Sequence, residues 1–362
     1  MSITPGTYTL SATPITRLTP GSGILHLSLP STSTSDTAQP SDSSCSPNGT
    51  AHTNEHRNGR SRFSTLSAAY PLKLLSPTPL SSQPSNLSLV YTLAYGGGLV
   101  AGDLISLQGE IGSGCGLVML TQGSTKVYKR RPGIRPQSNF RSHQHPPSSK
   151  VENEKEKTDP SIGSDLTRQR LHVKLNSHSF LLLLPDSISP FAKSQYSQTQ
   201  RFILPQDKTA SILILDWVNS GRGQRSTFGE EIWSMEKYNS TNEVFIGDRL
   251  AMREKMILDN SSSDVSKQLS PYNIYATLIF SGPHLTKLMK VLKQWSDKSR
   301  QFQLKLPPGL VWSFSEIDSE SGAGIVRVAG RETEDVRIWL RGCLEAGGVK
   351  DLTGDGIWPR CI

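Results

Sequence analysis

The sequence has few cysteines and no hydrophobic run long enough to cross a bilayer. Only four of its 362 residues are cysteine. Cys45, Cys115, Cys343 and Cys361 lie far apart and form no C-x-x-C pair, which excludes a disulfide framework and a clustered zinc site. The first residues, MSITPGTYTL, lack the charged and apolar regions of a secretory signal. We therefore expect a soluble, cytoplasmic protein with reduced thiols.

Signatures of common enzyme and metal sites are also missing. There is no G-x-S-x-G nucleophile elbow, and the glycine-rich stretch 96–102 fits neither a dinucleotide fingerprint nor a P-loop. Four of the eight histidines, His52, His56, His143 and His145, fall in low-complexity segments, and the others are scattered singly. We expect no tightly bound cofactor, and only adventitious metal binding by His143 and His145.

Apolar residues make up only 35% of the chain, and three polar segments carry the deficit. Segments 30–62, 137–168 and 259–271 cannot bury enough apolar surface to offset the entropy of ordering, so they are predicted to be disordered insertions in a single domain. The net charge of +8 is spread without aromatic and basic interleaving. It indicates a solvated surface or an acidic protein partner, and argues against nucleic acid.

The rest of the chain is typical of a mainly β protein. Short runs with β-branched, aromatic or alternating apolar residues predict strands at 24–29, 87–95, 104–111, 117–128, 171–175, 180–184, 199–204, 211–218, 274–281 and 324–328. The run SILILDWV is apolar on both faces, as expected for a strand between two layers. Apolar stripes predict two late helices, at 283–301 and at 333–346, the second capped by Thr333 and ended by Gly347.

Four motifs occur in order along the chain. GGGLVAGD (96–103) is a glycine-hinged turn containing Gly97, Gly98 and Gly102, and TQGSTKVYK (121–129) contains Gln122, Thr125, Lys126 and Tyr128. PDSISPFAKSQYSQ (185–198) contains Pro185 and Phe191, and DWVNSGRGQRSTFGEE (216–231) contains Gly221, Arg222 and Glu230. In this order the motifs resemble those of the UreD (UreH) family of urease accessory proteins, of a eukaryotic type with low-complexity insertions.

The resemblance implies a single β-rich domain of stacked, β-helix-like sheet layers and no catalysis of its own. It implies a scaffold, or metallochaperone component, that binds apo-urease together with a UreF-type protein and a UreG-type GTPase. Nickel would pass through this protein in transit, with neither nucleic acid nor membrane as a partner. An alternative of another class is a β-rich hydrolase or transferase with its site at the 96–103 turn, and a third is a basic nucleic-acid-binding module.

Two acidic residues are candidates for a transient nickel path by the same resemblance, Asp103 and Glu230. Each has a structural alternative: Asp103 could cap the turn after Gly102, and Glu230 could pair with Arg222. The six residues GQRSTF separate the GR and GE pairs, a longer spacing than the family's. Lys126, a buried-looking strand lysine with a paired head group, and Tyr128, an aromatic packing partner, are interpreted as structural.

Overall fold

A computed structural model describes residues 18–30, 59–129, 165–223, 231–300, 309–318 and 321–362. The strands are β1 (Ser22–Ser28), β2 (Arg62–Ala68), β3 (Leu72–Leu75), β4 (Leu87–Ala94), β5 (Gly98–Leu99), β6 (Leu104–Ile111), β7 (Gly116–Thr121), β8 (Thr125–Val127), β9 (Thr167–Leu175), β10 (Phe180–Leu183), β11 (Ile188–Pro190), β12 (Gln195–Leu204), β13 (Ser211–Asn219), β14 (Lys237–Ile246), β15 (Arg249–Asp259), β16 (Ile274–Ser281), β17 (Leu310–Asp318) and β18 (Ala323–Gly330). The helices are α1 (Val265–Leu269), α2 (Thr286–Arg300), α3 (Thr333–Ala346) and α4 (Val349–Thr353).

The strands form two large sheets, and the chain passes back and forth between them. Sheet A has the order β15-β14-β12-β9-β6-β1-β2, and the main path of sheet B is β17-β18-β16-β13-β10-β7-β4-β3. From β6 to β14 each strand of sheet A is followed by one or two strands of sheet B, and successive strands within each sheet pair in parallel. This winding confirms the predicted mainly β fold of stacked, β-helix-like layers.

Sheet B lies between two apolar cores. Ile212, Ile214 and Val218 of β13 join the core between the sheets, whereas Leu213 and Trp217 join the core beneath the helices. Alternate side chains of a strand point to opposite faces, so only a strand covered on both sides can be apolar throughout. The prediction that SILILDWV is buried between two layers is therefore confirmed.

Both predicted late helices are present and cover sheet B. Leu288 and Leu292 of α2 are fully buried, and Leu285 is buried in the short 3-10 turn before it. Helix α3 has the predicted bounds and ends at Gly347. The predicted cap is wrong, because Glu332 holds the N-cap position and Thr333 is the first helical residue.

The structure departs from the expected disordered loop at 259–271, which contains the end of β15 and all of α1. Asn260 Nδ2 donates to the carbonyl oxygens of Trp233 (2.7 Å) and Met235 (2.6 Å), and the Asp264 side chain caps α1. Val265 is buried. Short polar side chains here satisfy the backbone, so a polar segment is ordered without a large apolar content.

Several boundaries differ from the sequence predictions. Residues 59–62 and 165–168 of the other two polar segments lead into β2 and β9, and most of 30–62 and 137–168 lies outside the described residues. The predicted strand 117–128 is two strands, β7 and β8, separated by the turn at Gln122 and Gly123. The sequence analysis did not predict the largely exposed strands β2, β3, β15 and β17, the short strands β5 and β11, or β14, whose inward positions include the polar residues Ser240 and Asn242.

Candidate functional site

Strands β12 and β14 place a row of polar side chains on the inner face of sheet A. They pair in parallel, with Tyr196 opposite Tyr238, Gln198 opposite Ser240, and Gln200 opposite Asn242. All six side chains are buried. Further along the same face, Phe202 and Val244 belong to the apolar core, so the polar row replaces the core at one end of the strands.

Asp216 of β13 faces this row from sheet B. Its carboxylate accepts hydrogen bonds from Asn242 Nδ2 (2.7 Å), Ser240 Oγ (2.5 Å) and Gln198 Nε2 (3.3 Å). Burial raises the pKa of Asp216; the three hydrogen bonds oppose that rise, and the negative charge of Glu254 adds to it. Among the described residues, its three hydrogen-bond donors are two amides and one hydroxyl, all of them neutral.

The two buried tyrosines extend the polar cluster. The hydroxyl of Tyr196 lies 2.9 Å from Gln198 Oε1 and 3.1 Å from Gln169 Oε1 and donates to either. The rings of Tyr196 and Tyr238 stack with their centroids 5.6 Å apart. Burial, with the nearby charge of Asp216, raises the pKa of both hydroxyls, so they remain neutral donors.

Two side-chain carbonyl oxygens of the row have no hydrogen-bond partner in the part of the chain that the structure describes. Gln200 Oε1 and Asn242 Oδ1 are buried and have no hydrogen bond within the described part of the chain. Leaving a buried acceptor unsatisfied costs about 1–3 kcal/mol, so such atoms are suited to water or a hydrated cation.

A cavity of about 70 Å³ lies beside the cluster, between the two sheets. Its polar lining includes Gln169, Gln198, Gln200 and Asp216. One enclosed water needs roughly 10–15 Å³, so the cavity has room for several water molecules. The polar cluster is therefore next to space that water or a small hydrated ion can occupy.

An ion pair lies at the other end of the polar row, at an edge of the sheets. Glu254 of β15 is in register with Asn242. Arg327 of β18, in sheet B, donates to both carboxylate oxygens of Glu254, at 3.2 and 2.8 Å. This pair joins the two sheets and continues the polar row from the interior toward the surface.

The sequence motifs gather where the inter-sheet cavity approaches the surface. Thr92, Thr121 and Thr125 line both the cavity and a surface pocket of about 310 Å³ that contains Gly97, Gly98 and Gln122. Gly97 has a positive φ of 72°, whereas Gly98 is extended and pairs through β5 with β8. Gly102 also has a positive φ, of 82°.

A second motif group surrounds an open groove of about 1070 Å³ next to that pocket, and Ser124 lines both. The ring of Phe191 lies edge-on to Tyr128 (centroids 5.5 Å apart) and beneath the guanidinium of Arg222 (4.3 Å). This confirms Tyr128 as a packing partner. Gly221, with a φ of 96°, and Lys126 also line the groove. Lys126 is exposed, so the expectation that it is buried is wrong.

Of the two predicted nickel-path residues, the described structure contains Asp103 only. Asp103 Oδ2 accepts a hydrogen bond from the Val100 amide (2.7 Å). This is the contact that the alternative role of Asp103, capping the turn, requires. Glu230 lies outside the described residues, as does any pairing with Arg222. Pro185 belongs to the cavity lining, and its carbonyl accepts from Trp217 Nε1 (2.9 Å).

The central residue, Asp216, was not singled out from the sequence although it begins the fourth motif. The available signal was an acid inside a strand that is otherwise apolar on both faces. Gln198 and Gln200 carried a similar signal, since they occupy the same alternate positions of the segment as Phe202 and Leu204. Polar residues at core positions need buried partners, and only a second sheet could supply them.

Two general features complete the description of the site. Among the described residues, no three His, Cys, Asp or Glu side chains come together in a group that could hold a metal ion. None of the described helices combines the length and apolar character that spanning a membrane requires.

Comparison with known proteins covers most of the chain. The family model described as "UreD urease accessory protein" matches residues 48–360. "Urease accessory protein 4" of Cryptococcus neoformans is 62% identical over 310 residues, covering 83% of this chain and 90% of the relative. "Urease accessory protein D" of Arabidopsis thaliana is 28% identical (78% and 90% covered), and "Urease accessory protein UreD" of Sorangium cellulosum 29% (79% and 76%). These are names of accessory proteins rather than enzymes, in agreement with the predicted non-enzymatic role.

Proposed function

The chain belongs to the UreD urease accessory protein family and has a role in urease maturation, and from this premise we propose that it conducts nickel toward apo-urease. In this proposal it is a cytoplasmic scaffold that holds apo-urease together with a UreF-type protein and a UreG-type GTPase. Nickel is cargo that crosses the protein, and the chain itself retains none tightly.

The buried polar cluster around Asp216 is the observation that supports this proposal. Moving a divalent cation through an apolar interior is prohibitive unless water and negative groups accompany it. Asp216 supplies a carboxyl group, Gln200 and Asn242 supply carbonyl oxygens that have no hydrogen-bond partner among the described residues, and the adjacent cavity has room for water. Replacing buried charged groups by well-packed apolar residues is often neutral or stabilising, so stability alone does not account for such a cluster.

The composition of the cluster favours transit over storage. Ni²⁺ is held firmly by several imidazole, thiolate or carboxylate ligands together. Here one carboxylate is surrounded by neutral amides and hydroxyls. Such oxygens stabilise a hydrated cation without completing a tight coordination shell, so the ion can move on.

The two ends of the proposed path lie where the polar row approaches the surface of the protein. One end is the motif-lined pocket near Thr92 and Thr125, and the other is the Glu254–Arg327 pair at the sheet edge. We propose that these are the two places where nickel enters and leaves, with the partners docked around them.

The test is nickel-dependent activation of apo-urease by purified components, comparing the wild type with Asp216→Asn. Asparagine keeps the size of the side chain and removes its charge. We expect normal co-purification with the partners, slower activation at limiting nickel, and partial recovery in excess nickel. The matched control is Asp355→Asn, whose side chain is 87% exposed.

Two results would count against the proposal. Wild-type activation kinetics for Asp216→Asn at limiting nickel would remove the cluster from the path. Loss of complex assembly by a variant that still unfolds cooperatively at the wild-type temperature would make the cluster a determinant of partner binding instead.

A further inference from the structure

The outer face of sheet A carries a concentrated positive charge. Helices α2 and α3 contact strands of sheet B, and the outward side chains of sheet A described below are exposed to solvent. Its outward positions include Arg170, His172 and Lys174 on β9, Arg201 on β12, and Arg253 and Lys255 on β15, and we call these six residues the basic face. All six are exposed. Five permanent cations thus share one open surface of the sheet.

The strand register arranges these charges in two rows. One row runs Arg170–Thr199–Thr241–Lys255 and contains no acid. The next runs His172–Arg201–Glu243–Arg253. Since strands are about 4.8 Å apart, each row spans roughly 14 Å. Lys174 extends the face along β9 and lies 3.9 Å from Glu110 of β6.

Glu243, the one acidic residue within the two rows, holds two arginine side chains in place but does not cancel the positive charge of the face. Glu243 is buried beneath two guanidiniums, with Arg201 Nη2 at 3.0 Å and Arg253 Nη2 at 2.8 Å. A single carboxylate between two arginines leaves one positive charge and fixes both side chains. The two side chains are already ordered in the free protein, so binding a further anion costs less conformational entropy.

The chemistry of the face favours carboxylates over nucleic acid. Single-stranded nucleic acid is bound by stacking of bases on aromatic rings. Phe245, an aromatic residue on this surface, is half-buried and lies 5.1 Å beneath the Arg201 guanidinium. Sequence-specific reading of a duplex commonly places a helix or a two-stranded ribbon in a groove, and the basic face consists of strands within a wide sheet. Ordered arginines interleaved with threonine hydroxyls suit the carboxylates of a protein surface.

We propose that the basic face is the docking surface for an acidic protein partner within the urease-maturation assembly. The membership of that assembly rests on the proposed function, whereas the preference for a carboxylate-rich surface rests on the face itself. The partner presents several aspartates or glutamates over an area comparable to the two rows. Binding is steered by charge and weakens as salt rises.

The test compares two double variants of the full chain with the same change in net charge. Arg170→Glu with Lys255→Glu reverses the acid-free row. Lys290→Glu with Lys298→Glu, at exposed positions of α2, is the matched control. Cooperative thermal unfolding is checked for both. Binding is measured at low and high salt to a short poly-L-glutamate peptide, a short DNA duplex, and each of apo-urease, the UreF-type and the UreG-type protein.

The expected result is a loss of about tenfold or more in affinity for poly-L-glutamate and for one of the three proteins in the basic-face variant alone. The salt dependence of that interaction becomes shallower in the same variant. Equal losses in both double variants reduce the effect to net charge and overturn the proposal. So does unchanged binding, or tighter binding of the DNA duplex than of any acidic protein.

The two proposals fail separately. If the wild type does not activate apo-urease, the proposed function is wrong, while the poly-L-glutamate comparison still decides the chemistry of the basic face. If the wild type activates urease and neither double variant changes any interaction, only the docking proposal is wrong.

Discussion

Asn242 of β14 donates a 2.7 Å hydrogen bond across the interior to Asp216 of β13, and so links sheet A to sheet B through a buried carboxyl group. The other side-chain oxygen of Asn242 has no protein partner within the described structure. One amide therefore both supports the carboxylate and presents an acceptor beside it. This arrangement distinguishes the interior from an ordinary apolar core.

The full chain is expected to bind nickel only weakly. Among the described residues no group of three metal-ligating side chains is present, and His143 and His145 belong to a low-complexity stretch. Isothermal titration with Ni²⁺ should detect no stoichiometric submicromolar site. A site of that affinity that persists after deletion of residues 137–164, a deletion that spares β9, would contradict this prediction.

Substitutions at the glycine turn should impair folding rather than a chemical step. Gly97 and Gly102 have positive φ values of 72° and 82°, where a β-branched side chain is strained. Gly97→Val and Gly102→Val should each lower the free energy of unfolding by about 1–3 kcal/mol. Urea unfolding measures this change. A fully stable variant that binds its partners and does not support activation would give the turn a direct role.

Gly98 should be sensitive for a different reason. Its backbone is extended, and a Cβ atom there would lie 2.7 Å from the Lys126 carbonyl oxygen and 2.8 Å from the Tyr128 ring. Gly98→Ala should therefore separate β5 from β8, whereas at Gly97 a Cβ meets open space. Amide hydrogen exchange of β8 in Gly98→Ala and Gly97→Ala tests this difference. Equal protection in both variants would exclude the steric argument.

Leu292 of α2 is expected to be a core residue. It is fully buried between the helix and sheet B. Leu292→Ala should lower the free energy of unfolding by about 2–5 kcal/mol, because it removes apolar contacts and leaves a cavity. Lys290 lies two residues away on the exposed side of the helix, so the free energy of unfolding of Lys290→Ala should stay within about 0.5 kcal/mol of the wild-type value. A small loss at Leu292 with weakened partner binding would indicate an interface.

Glu243 should make stability depend on pH. Burial alone would raise its pKa, but hydrogen bonds and charge from Arg201 and Arg253 outweigh burial and lower the pKa below its ordinary 4.5. Because the pKa of Glu243 is lower in the folded state than in the unfolded state, its carboxylate stabilises the fold at pH values above the unfolded-state pKa. That stabilisation is lost as the pH falls through the folded-state pKa. The stability difference between the wild type and Glu243→Gln should thus be largest near neutrality and shrink below pH 4.5.

Urea unfolding at neutral and acidic pH measures this dependence, with Asp355→Asn as an exposed control. A difference between the wild type and Glu243→Gln that stays constant with pH would show that the carboxylate charge contributes nothing to stability.

Asp103→Ala combined with Glu230→Ala should slow nickel delivery if these carboxylates attract the ion along its route. The complex with apo-urease should still assemble, and excess nickel should restore part of the activation. Asp103 also accepts from the Val100 amide, so Asp103→Asn is a useful companion. Normal activation at limiting nickel would remove both residues from the route, and failed assembly would leave them structural.

Local sequence was sufficient for the elements whose periodicity is strong. The stripe that includes Leu288 and Leu292 identified α2, and the doubly apolar run of β13 identified a strand between two layers. The four motifs in their order were sufficient to identify the family, because a resemblance depends on residue identity along the chain and not on which residues are in contact. Half-exposed strands such as β2 and β15 have weak alternation, so they were missed.

The order at 259–271 could not be seen from composition. Asn260 and Asp264 satisfy backbone groups through specific hydrogen bonds, and composition counts such residues only as polar. The same limitation hid the exposure of Lys126, since a lysine on a short strand faces the core or the solvent according to which strands flank it.

The sequence by itself determined the family, the mainly β class, the two late helices and the doubly covered strand, because each follows from residue identity or short-range periodicity. Only the tertiary structure decided the candidate site. Gln198, Asp216 and Asn242 are separated along the chain and meet because parallel coils stack strand upon strand in a common register. The partner of a buried polar group is chosen by that long-range register, and no local pattern encodes it.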